Sequence, residues 1–339
     1  LLQIAEDVPP VNSVPAGLIP RARRRAIVAP ALAGVTTIAI VAAAAIGVAA
    51  VLRARPRIPA TQGPVPTAAP EHPTRVGDGT LVFATTHGAF AATADGVRRL
   101  RTPPDFDGCC GIAISPDGTQ LAYGVAGVPP DAGGLVQVSD VRTAQILAST
   151  GRVGGAAHDV AWSPDGTAFA FSHGDALGTY SLHGERATSV TEPPPNCRDE
   201  LPTWSAASGE IAFFRVCGDD AAAIEVVRSD GSAETRLISM TVRPVGLAWS
   251  PDGSRLALAS DDGSVWVVER GGSDLRRISA PADGAIGGSG TIAWSPDGTT
   301  IASVRDGGID VIEVSSGTIR PLSGANGMGP VSLSWSSAG

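Results

Sequence analysis

The chain has no lysine: all 25 basic residues among its 339 are arginine. With alanine, glycine and proline so frequent, this reflects GC-rich coding rather than a function. Aromatic residues are scarce, at 4%. No Gly-x-Ser-x-Gly turn occurs, so the nucleophile elbow of a serine hydrolase is excluded. No glycine pattern of a phosphate-binding loop is present. The four cysteines include no Cys-x-x-Cys pair, which argues against zinc. Asp219-Asp220 and Asp261-Asp262-Gly263 lack the ligand spacing of a calcium loop. No cofactor is therefore expected. The net charge is −8, and residues 78–339 hold 17 Arg against 30 acidic residues, a net −13. A body this acidic argues against nucleic acid, or an anionic membrane surface, as its partner.

What the chain has in abundance is one phrase: an apolar pair, a Trp, then Ser-Pro-Asp-Gly. It is clearest at Leu247-Ala248-Trp249-Ser250-Pro251-Asp252-Gly253. It recurs around Trp162 and Trp294, with Ile114 replacing Trp before Ser115, and in degenerate form at Trp204-Ser205 and Trp335-Ser336. The repeated serines (115, 163, 205, 250, 295 and 336) lie 41 to 48 residues apart, the period of a four-stranded propeller blade. Within the phrase, Pro presets φ for the first corner of a turn, Asp suits the second, and Gly accepts the left-handed backbone. Three more strand patterns follow each phrase but the last. The first blade begins near residues 80–101 without an innermost strand, and the chain ends on a lone one at 331–336. Pairing the two closes the ring and removes the open sheet edges. The fold class expected is all-β: a six-bladed propeller of four-stranded blades, behind one transmembrane α-helix and a Pro-rich linker.

The N-terminal part reads differently. Residues 1–25 form a short cytoplasmic tail ending in Arg21, Arg23, Arg24 and Arg25. Residues 26–52 then run without a charge, long enough as a helix to cross a hydrocarbon core of about 30 Å. A cleaved signal peptide is the competing reading, but its apolar region would be shorter, about 7–15 residues. No cysteine follows the helix, so a lipoprotein attachment site is not expected. Residues 53–77, with six prolines, read as a semi-rigid spacer before a propeller at 78–339. Arginines flank the apolar run on both sides, so the positive-inside bias is slight, and the cysteines favour an extracytoplasmic propeller. The expected location is the cytoplasmic membrane, spanned once, with the lipid bilayer contacting residues 26–52.

The phrase Trp-Ser-Pro-Asp-Gly followed by an apolar strand resembles the TolB-like, WD-repeat-related bacterial propellers, over roughly residues 78–339. Such a resemblance implies an interaction platform, or the non-catalytic companion of a peptidase domain.

Cys109, Cys110 and Cys197 fall in loops that lead into innermost strands, and Cys217 follows a second strand, so all four thiols gather at one end of the ring. A Cys197–Cys217 disulfide is reasonable, with Cys109 and Cys110 as a vicinal disulfide or free thiols; closing a loop of roughly 20 residues contributes about 3 kcal/mol in the chain-entropy model. On the same face stand His158, Asp159, Arg198, Asp199, Glu200 and Arg243, each just before an innermost strand. Polar groups converging on a channel mouth are the default place for a ligand. The competing reading is that they pair with one another, and that Asp159 and Glu200 bond nearby backbone N–H groups. A Ser-His-Asp triad is rejected, because the serines repeat blade by blade in the same turn. His87, His173 and His183 are expected to face solvent. The Trp set at 162, 204, 249, 294 and 335 is expected to pack between blades rather than stack sugars. The function expected is non-enzymatic binding of a protein or cell-envelope component. The alternative is a metal-dependent, lactonase-like propeller hydrolase that uses the channel-mouth acids and His158.

Overall fold

The computed structural model describes residues 79–108, 110–126, 133–218, 221–280, 292–305 and 307–336. The predicted tail, membrane span and linker at 1–25, 26–52 and 53–77 lie outside them. Among the described residues no helix is long and apolar enough to cross a membrane.

The strands run in chain order as β1 (Leu81–Thr85), β2 (Gly88–Thr93) and β3 (Gly96–Arg99), then β4 (Ile112–Ile114), β5 (Gln120–Val125), β6 (Leu135–Asp140) and β7 (Ile146–Ser149). Next come β8 (Ala157–Trp162), β9 (Ala168–His173), β10 (Ala176–Ser181) and β11 (Arg186–Ser189), followed by β12 (Cys197–Trp204), β13 (Glu210–Cys217), β14 (Ala221–Arg228) and β15 (Thr235–Met240). The last are β16 (Pro244–Trp249), β17 (Arg255–Ser260), β18 (Val265–Glu269) and β19 (Arg276–Ser279), β20 (Ile292–Trp294), β21 (Thr300–Arg305), β22 (Gly308–Glu313) and β23 (Ile319–Pro321), and finally β24 (Ser332–Trp335). They form six four-stranded antiparallel sheets among the described residues, and the first has the order β24-β1-β2-β3. This is the six-bladed propeller expected from the repeat.

Closure is made as predicted. β24 pairs antiparallel with β1, Leu81 opposite Trp335 and Ala84 opposite Ser332. The Ser336 hydroxyl accepts the Thr80 N–H at 3.0 Å, and the Trp335 indole donates to the Gly79 carbonyl at 2.8 Å. Ser332 and Ser334 hydroxyls reach sideways to the β4 backbone, accepting the N–H groups of Ile112 and Ile114 at 2.8 and 3.0 Å. The seam between chain ends is thus bonded both within its own blade and to the next.

Each Ser-Pro-Asp-Gly turn uses all its polar groups locally. The Ser250 hydroxyl donates to Asp252 at 2.6 Å and accepts the Arg255 N–H at 3.0 Å, while Asp252 accepts the Ser254 N–H at 3.0 Å. Gly253 sits at φ 66°, where a side chain would be strained. The same bonds recur at Ser115, Ser163 and Ser295. In the degenerate turn after Trp204 the glycine comes one residue later, and Gly209 N–H bonds Ser205 O at 3.0 Å.

Blades pack through their second strands. Phe169, Phe171, Phe213, Phe214, Leu256 and Leu258 are fully buried, each worth about 1.5–3 kcal/mol when removed from water. Trp162, Trp249 and Trp294 are buried as expected, and the indoles of Trp162 and Trp294 donate to Ala113 and Ala248 carbonyls of the preceding blade, both at 2.9 Å. Trp204 and Trp335 are only half-buried, and their indoles bond within their own blades.

Candidate functional site

The six innermost strands line an axial cavity of about 430 Å³. Three of them carry a feature that the sequence did not announce. β8, β12 and β16 each bulge near the residue three before the Trp. That residue is Asp159 in β8 and Leu201 in β12, at φ 55° and 57°, a region that non-glycine residues seldom enter. The bulge turns the Asp159 side chain across the blades.

Asp159 is 5% exposed. Its Oδ2 accepts from His158 Nδ1 at 2.6 Å, from the Ser172 hydroxyl at 3.2 Å and from the Leu201 N–H at 3.1 Å. Its own N–H donates to the Cys110 carbonyl at 3.2 Å. One residue therefore ties together three consecutive blades. Burial alone would lower the His158 pKa. The hydrogen bond and charge of Asp159, with Glu200 beyond it, outweigh burial and the opposing Arg198, and hold it above the ordinary value.

Glu200 is flanked by two guanidinium groups. Arg198 bonds its Oε1, and Arg243 lies 3.6 Å from its Oε2. Both arginines are largely exposed and His158 is partly so. Five of the six predicted channel-mouth residues, His158, Asp159, Arg198, Glu200 and Arg243, thus come together. Four of them lie in strands rather than in loops, because β8 and β12 extend further toward this face than the Trp phrase indicates, while Arg243 stays in the loop just before β16.

Asp199 does not join them. The strand alternation at Arg198-Asp199-Glu200 turns Asp199 into the blade, where it is 1% exposed. There it takes a bidentate bond from Arg215, at 2.7 and 2.8 Å. Glu234 binds the other edge of the same guanidinium. These bonds, that to Asp199 first, raise the Arg215 pKa. Arg215 and Glu234 were missed from the sequence. An Arg inside the otherwise apolar run Ile211–Cys217 was the available signal.

Cys197 and Cys217 form a disulfide. The two residues are not in neighbouring loops but face each other as the first pair of the β12–β13 ladder. Cys110 is also disulfide-bonded, and among the described residues no cysteine is free; Cys109 lies outside them. His87 and His183 are exposed as expected, whereas His173 is half-buried against the Phe171 ring, which lowers its pKa by desolvation.

The family model for the WD domain, G-beta repeat, matches residues 241–268. Over 244 residues the chain is 31% identical to Tricorn protease homolog 1 of Streptomyces coelicolor, covering 64% of this chain. The chain spans only 22% of that relative's length. Among solved structures, TolB from Acinetobacter baumannii aligns with a TM-score of 0.56 at 14% identity, covering 76% of this chain and 66% of that one. A putative TolB from Agrobacterium tumefaciens gives 0.54 at 19% identity, covering 65% and 83% respectively. At these identities the likeness is one of fold, and the fold is the TolB-like propeller anticipated from the Trp-Ser-Pro-Asp-Gly repeats.

Proposed function

We propose that this chain is a non-catalytic binding platform. It is held on the outer side of a cytoplasmic membrane by residues 26–52, and it engages a protein or cell-envelope component through the face where His158, Arg198 and Arg243 surround the channel mouth. The observation that carries this reading is how the two acids there are used. Asp159 accepts from a ring nitrogen, a hydroxyl and a backbone N–H, and Glu200 is flanked by two arginines. Three donors converge on one oxygen of Asp159, and two guanidinium groups flank Glu200, which suits a fixed recognition surface better than proton transfer or metal ligation. The exposed groups left at the rim are mainly donors, so the face favours a partner that offers carboxylates or carbonyl oxygens. The Cys197–Cys217 disulfide supports an oxidising compartment for the propeller.

One observation favours a second reading. The His158–Asp159 pair has the geometry that orients a general base, and the relative over 64% of the chain is by name a protease homolog. In that reading the mouth residues act on a peptide or ester.

A photo-crosslinking amino acid placed at Arg243, in the full chain in intact membranes, tests the first reading. Specific envelope adducts are expected there and not from the same probe at Asp252 on the opposite face. Equal labelling from both positions overturns it. Hydrolysis of esters or peptides by the purified chain, lost in His158→Gln, establishes the second.

A further inference from the structure

A separate site lies on the rim, where the outermost strand of each blade meets the turn that closes the next. In three seams that turn is glycine-tight, one of them where a Cβ on Gly231 would fall 2.9 Å from the Val190 carbonyl oxygen. A Cβ on Gly272 would fall 2.2 Å from the Leu237 carbonyl oxygen, and one on Gly317 would fall 2.9 Å from that of Ile278. Leu237 and Ile278 are the bulged residues of outer strands β15 and β19. Leu147 is the corresponding bulge in β7. The turn facing it ends β10 and puts Glu185, at φ 47°, where blades five and six have Gly272 and Gly317, at φ 78° and 70°. A glutamate cannot seat on a carbonyl as glycine does. The seam stays open as a groove of about 400 Å³ lined by Gln120, Leu147, Ala148, Tyr180, Leu182 and Glu185.

Leu147, Ala148 and Leu182 give this groove an apolar strip, and Leu147 is 49% exposed. Two acceptors there are open among the described residues: the Gln120 Oε1 has no donor, and Glu185 makes no ion pair. Glu185 also lies near enough to Tyr180 for its charge to help burial raise the phenol pKa. The strand beside the groove is exceptional too. Every other outer strand carries arginine: Arg98 and Arg99 in β3, Arg186 in β11, Arg236 in β15, Arg276 and Arg277 in β19, and Arg320 in β23. β7 is Ile146-Leu147-Ala148-Ser149, without a charge. Arginine on an edge deters pairing with another chain, above all a basic one. That deterrent is missing only at the edge flanked by an unpaired glutamate.

We infer that β7 accepts an extended polypeptide segment as a fifth strand, and that this segment carries a Lys or Arg whose aliphatic stem lies along Leu147 and Leu182 and whose cationic head meets Glu185. Main-chain bonds to the edge would supply affinity, and the groove would supply selectivity. This site is independent of the channel mouth, and it stands or falls separately.

The test is fluorescence anisotropy with the full chain in detergent micelles and a labelled, end-capped heptapeptide of alternating Val and Lys. Saturable binding is expected, weakened about tenfold or more by Leu147→Arg and by Glu185→Arg, and similarly weakened when the peptide's Lys are replaced by Glu. Both substituted side chains lie at the surface, and unchanged melting temperatures verify the fold. The proposal is overturned if the wild-type chain does not bind, if either variant binds equally, or if n-butylamine displaces the peptide at equal concentration, which would mean a free-amine site. A concentration-dependent dimer abolished by Leu147→Arg would overturn it as well, because a second copy would then own the edge.

Discussion

Arg215 and Arg305 occupy the same place in their blades, five residues into the run that begins Ile211-Ala212 and Ile301-Ala302, yet only Arg215 is clamped by carboxylates on both edges of its guanidinium. Arg305 is as deeply buried, but its Nη2 donates to the Ala280 carbonyl at 3.1 Å and its Nη1 lies 3.7 Å from Asp310. Its Nε and Nη1 have no hydrogen-bond acceptor among the described residues. The two should respond oppositely to replacement. Arg215→Met leaves Asp199 buried without its partner and should cost about 3–5 kcal/mol. Arg305→Met removes a poorly compensated charge, and it should be neutral to stabilising, within about 1 kcal/mol of wild type or above it. Urea midpoints of the two variants decide this, and equal losses would mean that the Arg305 pair is stronger than its geometry.

Trp249 is the innermost aromatic of blade five, 7% exposed, and it packs with Leu247, Leu256 and Leu258 in one core cluster. Trp249→Ala should therefore leave a cavity and cost about 3–5 kcal/mol. Trp335 is half-buried, and its indole bonds Gly79. Trp335→Ala should cost less than Trp249→Ala. Thermal melts of both variants test the ranking, and a Trp249→Ala chain that melts with wild type would remove the packing role.

Much of this could be read in advance, and the reason is periodicity. A turn whose Ser, Asp and Gly all bond locally leaves its mark in four adjacent letters, so the blade count and the closure of β24 on β1 were legible. Partnerships across strands leave no such mark. Asp199 and Arg215 are 16 residues apart, and nothing local told which way Asp199 would point. The bulge that places Asp159 under Leu201 of the next blade, 42 residues on, was equally silent. The rim groove was hidden for another reason. Gly184 stands next to Glu185, and only the backbone shows that the glutamate, not the glycine, takes the left-handed position.

The His158–Asp159 bond gives the mouth cluster a pH dependence with a definite sign. His158 titrates above its ordinary value when folded, so its bond to Asp159 stabilises fully below the unfolded value of about 6.5 and is lost as pH rises through the higher folded value. His173 works the other way, since burial against Phe171 depresses its pKa and stability falls as pH drops through that range. The His158 contribution is isolated as a difference. Relative to wild type, His158→Gln should lose stability below about pH 6.5 and recover as pH rises toward 8. A difference that is flat with pH would show that the pair is not charge-assisted.

The Ser-Pro-Asp-Gly turns should act together at lower pH. The Ser250 hydroxyl, with the Ser254 N–H and hydroxyl, holds Asp252 down to about 2 from an ordinary value of 3.8. Asp165 and Asp297 are lowered by the equivalent Ser163 and Ser295 hydroxyls, and Asp117 is lowered against the opposing effect of its own burial. A depressed carboxylate contributes stability above the unfolded pKa and loses it as pH falls through the folded one. Stability should thus fall steeply between about pH 4 and pH 2, with four blades losing their inner turns in the same window. Asp252→Asn keeps an acceptor for Ser250 but cannot titrate. Its urea midpoint should be modestly lower at pH 6 and should approach that of wild type as pH falls to about 2. If the two curves run parallel, the carboxylate's charge contributes nothing to the turn, and hydrogen bonding alone holds it.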